Sequence, residues 1–306
     1  MAPSSDAPSP HEIPVKVARW VCELTGAGST LVRSRRLPGA SSSLVHAVDL
    51  RLRHGRIVRG VLRRYVYPPV LASEPEPVDR EAMVLHFLER AALPAPRLLG
   101  TDAAGDRCDA PALLMTRLPG RPRWRPPGVD VFLDGLVAQL PTIHALGPPT
   151  EPAFPRYHPY YDDLDRAVPS WTTRPAVWER AIEVRRSGVL AFTPTFIHRD
   201  YHPGNVLWQG SRLSGIVDWA GSCIGPAPVD VAHCRVNLAL AISCDAADDF
   251  LRRAEDLGVV TGHDPTWDLI DAVDALPDLD DSRAALARLD EFVARAVAAL
   301  GPIPRE

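Results

Sequence analysis

Hydrophobic and polar residues alternate along the first part of the chain and then follow a longer repeat. The alternation occupies three runs before residue 68, namely STLVRSRRL, LVHAVDLRLR and IVRGVLRRYVY. Strands with one buried face alternate in this way, and His54-Gly55 separates the last two runs as a turn, so we predict an antiparallel sheet. From Asp79, apolar residues recur at helical spacing until Pro94 ends the run, which predicts a helix after the sheet.

Two further strands are predicted over residues 96–102 and 112–118. The segment 119–128 that follows them is rich in proline and glycine, which is typical of a hinge. We therefore expect an α+β protein in three parts: a disordered tail over residues 1–14, an N-terminal lobe of sheet plus helix over 15–118, and a larger, mostly helical C-terminal lobe over 119–306.

Helical patterns dominate after the hinge, with long examples at 131–146, 228–243 and 282–301. The last of these begins at Ser282, a favourable N-cap residue, and stops before Gly301. Only residues 205–218 interrupt the helical pattern, because NVLWQ and SGIVDW have the composition of short strands on either side of a turn. We predict a β-hairpin at this position.

Composition excludes several classes of protein. The net charge of -4 argues against a nucleic-acid partner. No apolar run approaches the roughly 18 residues that a membrane span needs, so we expect no membrane partner. The five cysteines are scattered and lack CxxC spacing, which argues against a disulfide framework or a zinc ribbon. A soluble, cytoplasmic protein is the expectation.

Charge is distributed unevenly along the chain. Residues 15–67 contain eleven Lys or Arg and two acids, whereas residues 245–281 contain twelve acids together with Arg252 and Arg253. Solvated faces explain such runs in general. The alternative is a front half that handles an anion and a back half that attracts a cation.

The stretch FIHRDYHPGNVLW, residues 196–208, contains the densest group of reactive side chains. If the hairpin turn spans 210–213, Asn205 lies opposite Asp218 at its open end. An amide oxygen and a carboxylate are hard ligands that suit Mg²⁺, and Asp200 on the same loop would orient or deprotonate a hydroxyl. These three side chains together suggest phosphoryl transfer.

Two other interpretations of the loop stay open. A zinc or iron site would use His198, His202 and either Asp200 or His233. Pro203-Gly204 follows His202 directly, so the two loop histidines cannot share a helix face. Alternatively, each histidine simply bonds backbone groups around a tight loop.

The motifs in this region resemble those of a known family. HRDYHPGN has the H-x-D-x-x-x-x-N spacing of kinase catalytic loops, and IVDW takes the place of the DFG strand. The HPGN variant, the Trp after the aspartate and the following GPAPVDVA are similar to the aminoglycoside phosphotransferase and choline kinase-like family. The resemblance covers roughly residues 28–240 and implies a two-lobed, protein-kinase-like fold.

The resemblance also implies roles for individual residues. Asp200 corresponds to the catalytic aspartate that receives the substrate hydroxyl, and Asn205 and Asp218 correspond to the Mg²⁺ ligands. The N-terminal lobe would bind the nucleotide, whereas the C-terminal lobe would carry catalysis and the acceptor. The segment that covers the phosphates in the family corresponds to PGASSS, in which backbone amides face an anion: Ala40, Ser41, Ser42 and Ser43.

On the third strand, Arg63 of VLRR lies in register with the family's basic residue. Lys16, the only lysine, lies far upstream, so Arg63 is the candidate for the nucleotide phosphates. Arg64 should point to the opposite face. Glu81 resembles the helix glutamate that holds this cation, although an acid in a first helical turn is also favoured by the helix dipole alone.

LLMTRLPG resembles the strand that leads into the hinge of the family. By this resemblance, backbone groups of Thr116 and Leu118 would contact the purine edge and Met115 would line its pocket. As bare sequence the segment is also an ordinary buried strand.

Two positions differ from the expected pattern or allow two roles. Arg199 stands where the family often has glycine, as in a protein kinase, but only eleven residues separate Asp218 from Asp230, which leaves no room for an activation segment. A protein substrate is therefore not expected. Asp230 would either cap a helix beginning at Val231 or brace the catalytic loop.

These features predict an enzyme that moves the γ-phosphate of ATP or GTP to a hydroxyl of a small molecule with the help of Mg²⁺. The acids Asp162, Asp163 and Asp165 favour a cationic acceptor, such as an aminoglycoside or a basic peptide antibiotic. A macrolide or a metabolite of the choline or homoserine type is an alternative acceptor. A nucleotide-binding scaffold without catalysis is the alternative of another class.

Overall fold

The computed structural model describes residues 13–39, 43–67, 76–150, 154–160, 166–279 and 282–301. The chain forms two compact units that divide between Leu118 and Pro119. Most of the predicted N-terminal tail, residues 1–12, lies outside the described residues. The two units are considered in turn.

The described part of the first unit contains two helices and five strands. Its elements are α1 (Val15–Leu24), β1 (Thr30–Arg36), β2 (Leu44–Arg51), β3 (Ile57–Arg64), α2 (Pro77–Leu88), β4 (Leu98–Asp102) and β5 (Ala112–Thr116). The strands form one antiparallel sheet in the order β1-β2-β3-β5-β4. The predicted antiparallel sheet with a following helix is therefore confirmed, whereas α1 was not predicted.

The sheet separates two sets of side chains because successive residues of a strand point to opposite faces. On one face, Leu62 of β3 packs in a buried cluster with Val17 and Trp20 of α1. Arg63, the next residue on β3, faces the other way and contacts α2 through Glu81. The alternation along β3 thus turns one of two consecutive arginines toward the helix.

The described part of the second unit is mostly helical. Its elements are β6 (Arg121–Pro122), α3 (Val129–Val137), α4 (Leu140–His144), α5 (Pro175–Arg186), β7 (Thr195–Ile197), β8 (Val206–Gln209), β9 (Arg212–Ile216), β10 (Cys223–Gly225), α6 (Ala227–Ala241), α7 (Cys244–Asp256), α8 (Thr266–Asp274) and α9 (Arg283–Ala299). The predicted fold class, an N-terminal antiparallel sheet followed by a helical C-terminal part, is confirmed.

Two small sheets interrupt the helices of the second unit. The predicted hairpin β8–β9 is present and pairs with β6. The expectation that 205–218 alone breaks the helical pattern was wrong, because β7 and β10 pair antiparallel on either side of that hairpin. Each of these two strands has three residues, too few for a period-two pattern to stand out.

Three details of the predicted helices differ from the structure. The pattern at 131–146 belongs to two helices, α3 and α4, because a new helix begins at Leu140 with Pro141 in its first turn. Helix α6 begins at Ala227 rather than at Val231. Ser282 occupies the N-cap position of α9, but its side chain makes no capping hydrogen bond.

Helix α6 packs against α7, α8 and α9. Its buried residues Val229 and Ala232 join Ile197 of β7 and Trp267 of α8 in one apolar cluster. The short strands therefore rest on the helical core, and the loop that leaves β7 starts from a packed base. Among the described helices, none is both long enough and apolar enough to cross a membrane.

Candidate active site

The loop from β7 to β8 is held by the two small sheets. Pairing of β7 with β10 brings His198 beside the chain that leaves β9, where its Nε2 donates to the carbonyl of Val217 at 3.0 Å. The amide of Val217 donates to the carbonyl of Asn205 at 2.9 Å. His198 is therefore a structural histidine, as one of the open interpretations predicted.

The backbone of Asn205 pairs with the residue next to Asp218 at the open end of the hairpin, one residue from the predicted register. Asn205 lies opposite Val217, because the turn has only two residues, Gly210 and Ser211, and a bulge lies between Leu207 and Trp208. Asp218 follows Val217 directly.

The side-chain amide of Asn205 is oriented by Asp200. Its Nδ2 donates to the carbonyl oxygen of Asp200 at 2.9 Å and to Oδ2 of the same residue at 2.7 Å. The nitrogen donates both hydrogen bonds, so the amide oxygen of Asn205 takes part in neither of them. Asp218 adopts a left-handed backbone conformation, with φ of 65°, a geometry that is uncommon outside glycine and tends to occur at functional sites.

Asp200 lies among three polar neighbours. Its Oδ1 is 2.9 Å from Nε2 of His233 and 3.6 Å from Nε2 of His202, while Asn205 holds Oδ2. Burial raises the pKa of Asp200, but the hydrogen bond from His233 and the neighbouring histidines outweigh burial and lower this pKa below its ordinary value. Asp200 is therefore a carboxylate at neutral pH, with 34% of its side chain exposed.

The histidines around Asp200 bear on the zinc or iron alternative. Ligand atoms of Asp200, His202 and His233 lie within 4.8 Å of one another, as a metal site requires. However, the amide of Gly204 donates to Nδ1 of His202 at 3.1 Å, which leaves the proton of a neutral ring on Nε2, the atom that faces Asp200. Burial lowers the pKa of His202 to about 4, so the ring is neutral. This arrangement favours a hydrogen-bond network over a metal site.

Asp230 braces the loop from β7 to β8. Its carboxylate accepts from the amide of His198 at 3.0 Å and from the amide of Arg199 at 2.6 Å. Nε2 of His144 lies 3.0 Å from the same carboxylate, and the side chain is fully buried. Of the two roles considered for Asp230, the helix cap is wrong and the brace is correct.

Arg199 occupies a left-handed conformation with φ of 70°. Its guanidinium lies over the ring of Tyr160 at 4.2 Å and donates to the carbonyl of His158 at 2.8 Å. The hydroxyl of Tyr160 in turn donates to the carbonyl of Arg199 at 3.2 Å. These contacts offset part of the strain, and they attach the segment 154–160 to the loop.

In the first unit, Arg63 and Glu81 form the ion pair that the resemblance implied. Nη1 of Arg63 lies 3.2 Å from Oε2 of Glu81, and the glutamate side chain is 1% exposed. The hydroxyl of Tyr65 donates to the same oxygen at 3.0 Å. Arg64 points to the opposite face and pairs with Asp109 at 2.5 Å. Helix α2 begins at Pro77, so Glu81 lies beyond its first turn and the helix-dipole explanation is wrong. Glu81 is oriented by the cation on β3.

The remaining candidates in the first unit have less specific surroundings. Ser43 is buried and directly precedes β2, whereas Ala40, Ser41 and Ser42 lie outside the described residues. Met115 is buried on β5.

The amide of Thr116 donates to the carbonyl of Arg97 at 2.8 Å, so this donor is already used within the sheet. Leu118 is half-buried and follows the end of β5. Contacts of these residues with a purine stay a prediction.

The sequence pattern of the phosphotransferase enzyme family matches residues 35–269. The chain belongs to this family. The match includes the β7–β8 loop, the hairpin and the Arg63–Glu81 pair. Among curated proteins, none matches the chain by sequence.

Solved structures of phosphotransferases share the fold. A thermostable mutant of aminoglycoside phosphotransferase APH(4)-Ia, in a ternary complex with AMP-PNP and hygromycin B, has a TM-score of 0.66 at 15% identity over 95% of this chain and 100% of that chain. Macrolide 2'-phosphotransferase MphH from Brachybacterium faecium has a TM-score of 0.58 at 17% identity, with 94% and 99% covered.

Spectinomycin phosphotransferase APH(9)-Ia, in complex with ADP and spectinomycin, has a TM-score of 0.56 at 11% identity, with 92% and 98% covered. At such identities the likeness establishes the fold, whereas function has to be argued from the site.

Two polar residues of this phosphotransferase beside the loop were not predicted as part of the reaction. His233 on α6 was considered only as a metal ligand, and Asp271 on α8 was not singled out. His233 contacts Asp200 where α6 lies against the loop, and Asp271 contacts His233 through the packing of α6 on α8. Short-range sequence patterns contain no signal for either contact.

The acidic residues of 245–281 are largely paired within the phosphotransferase itself. The described pairs are Asp245 and Asp248 with Arg295, Asp249 with Arg252, Asp268 with Arg235, Asp271 with His233, and Asp274 with Arg185. This part of the charge asymmetry is therefore compensated by neighbouring cations. The acids Asp162, Asp163 and Asp165 lie outside the described residues.

Proposed function

We propose that this member of the phosphotransferase family transfers the γ-phosphate of ATP or GTP to a hydroxyl of a small cationic molecule. The observation that carries the proposal is the position of Asp200, Asn205 and Asp218 at one end of the β8–β9 hairpin. The hydrogen bonds from Asn205 fix Asp200, and Val217 ties the two chain segments together. Phosphoryl transfer needs such a group of side chains, with one carboxylate to hold the acceptor hydroxyl and two oxygen ligands for a metal ion.

The site fits Mg²⁺ by the chemistry of its ligands. The amide oxygen of Asn205 is directed away from Asp200, because the nitrogen makes both hydrogen bonds to that residue. Together with the carboxylate of Asp218 it offers two hard oxygen ligands, a number typical of Mg²⁺ sites that complete their shell with water and phosphate. When bound there, the ion would neutralise negative charge on the phosphates.

Asp200 is proposed as the residue that holds the acceptor hydroxyl. Its lowered pKa keeps it charged, and a carboxylate accepts the hydrogen bond that orients the attacking oxygen. Because the transferring phosphoryl group passes through a loose transition state, orientation contributes more than strong basicity. Arg63, oriented by Glu81, is proposed to bind the nucleotide phosphates bidentately.

An antibiotic is the proposed acceptor, in particular an aminoglycoside or a basic peptide antibiotic. Support comes from the phosphotransferases of similar fold, whose structures contain hygromycin B or spectinomycin. The acids Asp162, Asp163 and Asp165 add a local negative charge in the sequence, which would attract amines. A role in resistance or self-protection follows from such an acceptor.

A macrolide is the second candidate acceptor, because a macrolide phosphotransferase shares the fold. A metabolite of the choline or homoserine type is a third. A nucleotide-binding scaffold without turnover remains the alternative of another class, and it predicts nucleotide binding without any acceptor-dependent release of nucleoside diphosphate.

The experiment is a turnover screen of the purified protein with Mg²⁺-ATP and Mg²⁺-GTP against aminoglycosides, basic peptide antibiotics, macrolides and amino alcohols. The expected result is release of nucleoside diphosphate that depends on one class of amine-bearing acceptor, together with a phosphorylated product. Turnover with macrolides alone would contradict an aminoglycoside or a basic peptide antibiotic as the acceptor and would support the second candidate. Nucleotide binding without turnover in any class would contradict the enzyme and support the scaffold.

A further inference from the structure

Asp200 is held by more than the motif in which it lies. Asn205 donates to its Oδ2, and on the other side Nε2 of His233 lies 2.9 Å from Oδ1. His202 is more distant, at 3.6 Å from the same oxygen. His233 belongs to α6, so the second support of the carboxylate comes from a helix outside the loop.

His233 is itself fixed at its second nitrogen. Its Nδ1 lies 2.9 Å from Oδ1 of Asp271 on α8. Since each ring nitrogen faces a carboxylate oxygen, each must carry a proton, and the ring donates in both directions. Burial lowers the pKa of His233, but Asp271 and Asp200 more than offset burial and raise this pKa well above its ordinary value. The ring is 15% exposed and Asp271 is 10% exposed.

We propose that His233, held by Asp271, is a positioning residue that fixes the Asp200 carboxylate in the orientation that receives the acceptor hydroxyl. The inference rests on the proposed function. With Asn205 on Oδ2 and His233 on Oδ1, both oxygens of Asp200 are directed, and each keeps a lone pair for a further contact. A rigid second support of this kind is what a reaction that depends on orientation requires.

The chemical step assigns no proton to His233. The acceptor oxygen forms a bond to the γ-phosphorus while the bond from phosphorus to the bridging oxygen breaks, and the nucleoside diphosphate leaves with that electron pair. The hydroxyl proton passes to Asp200. Both nitrogens of His233 already carry protons, so His233 does not take the hydroxyl proton itself. It orients Asp200, which receives that proton.

A purely structural role is the competing explanation, since His233 and Asp271 also join α6 to α8. The chain offers a matched control for that role. Arg235 on α6 pairs with Asp268 on α8, and both side chains are buried, but neither contacts Asp200. Weakening this second link tests helix packing without touching the carboxylate.

The experiment compares wild type, His233→Ala, His233→Gln, Asp271→Asn and the control Asp268→Asn with an acceptor that the wild type phosphorylates. We expect His233→Ala to lower kcat by about 10- to 100-fold, with nucleotide affinity unchanged within about twofold. His233→Gln should recover part of kcat, because its amide can still donate to Asp200. Asp268→Asn should lower the melting temperature but change kcat by less than about threefold.

Two kinetic outcomes would overturn the inference while the proposed function stands. One is a His233→Ala enzyme with wild-type kcat. The other is a loss of kcat in Asp268→Asn as large as in His233→Ala at equal melting temperature. An inactive wild type would instead remove the proposed function, and the positioning role would fall with it.

An imidazole NMR spectrum gives a readout that needs no turnover. The Nε2 proton of His233 should shift in Asp200→Asn, because its carboxylate partner becomes an amide. An unchanged signal would refute the contact on which the inference depends. This measurement separates a wrong geometry from a wrong function.

Discussion

Arg63 and Arg64 are consecutive arginines of β3 with different surroundings. Arg63 pairs with the buried Glu81, whereas Arg64 pairs with the partly exposed Asp109 on the other face. Strand alternation made this difference predictable from the sequence, as soon as one of the two was matched to the basic residue of kinase-like proteins. A substitution that keeps the positive charge of Arg63 but changes the shape of its side chain therefore tests the proposed role of this residue.

Arg63→Lys keeps the positive charge but loses the planar, bidentate guanidinium. We expect the KM for nucleotide to rise by about tenfold or more, because the proposed phosphate contact uses two donors at once. The KM for the acceptor should stay unchanged. Steady-state kinetics with varied nucleotide measure the effect.

The matched control for Arg63→Lys is Arg59→Lys, an exposed arginine on the same strand and the same face. This variant should keep the nucleotide KM of the wild type. Equal KM values in wild type and Arg63→Lys would show that Arg63 does not bind the phosphates.

The loop residues show which contacts of single side chains can be predicted from the sequence. Asn205 and Asp218 were predicted to meet from hairpin geometry, and a two-residue turn with a bulge moved the register by only one position. His233 could not be assigned in the same way, because its contact with Asp200 depends on how α6 packs against the β7–β8 loop. Local periodicity specifies elements, but it does not specify such contacts.

Among the secondary-structure elements, α9 and α5 are joined by one buried acid. Asp290 on α9 accepts from Nε1 of Trp178 at 2.9 Å and from the hydroxyl of Thr173 at 2.8 Å, and it also accepts from the hydroxyl of Thr172. Burial raises the pKa of Asp290, but these hydrogen bonds outweigh burial and lower it. The carboxylate therefore stabilises the fold in its charged form.

Asp290→Asn should lower the free energy of unfolding by about 2 kcal/mol at pH 7, because an amide nitrogen replaces one charged acceptor. Since the folded pKa lies below the unfolded value, the contribution is complete above the unfolded pKa of about 4 and is lost as pH falls through the folded pKa. The difference between wild type and variant should accordingly shrink in acid. Urea unfolding over a pH series measures it.

Glu291→Gln provides the control for Asp290→Asn on the same helix. Glu291 is about half exposed and pairs with Arg295. Loss of this exposed ion pair should lower the free energy of unfolding by only a few tenths of a kcal/mol. An Asp290→Asn protein as stable as Glu291→Gln at pH 7 would refute the role of Asp290.

The elements themselves were predictable to different degrees. Strands β2 and β3 follow clear alternation and have a full antiparallel register from Leu44 with Arg64 to Arg51 with Ile57. Strands β7 and β10 have three residues each, and their pairing depends on the hairpin that folds between them. Short strands stabilised by tertiary packing leave too little pattern to be recognised.

Across the chain, the charge asymmetry has a simpler origin than the sequence suggested. Much of the acidic block in 245–281 is neutralised by arginines of neighbouring helices, for example Asp248 by Arg295 and Asp274 by Arg185. Sequence separation hid these pairs, because the partners lie far apart along the chain. The fold class was predictable because it depends on element types and their order, which periodicity and turn signals do report.

The central claim is that Asp200 holds the acceptor hydroxyl and receives its proton during phosphoryl transfer in this member of the phosphotransferase family. The most direct measurement is γ-phosphate transfer from Mg²⁺-nucleotide to the acceptor found in the screen, for wild type, Asp200→Ala and the exposed control Asp256→Ala. The account predicts a loss of about 10³-fold in kcat for Asp200→Ala, with nucleotide affinity retained and the control fully active. An Asp200→Ala protein that transfers phosphate at the wild-type rate would contradict it.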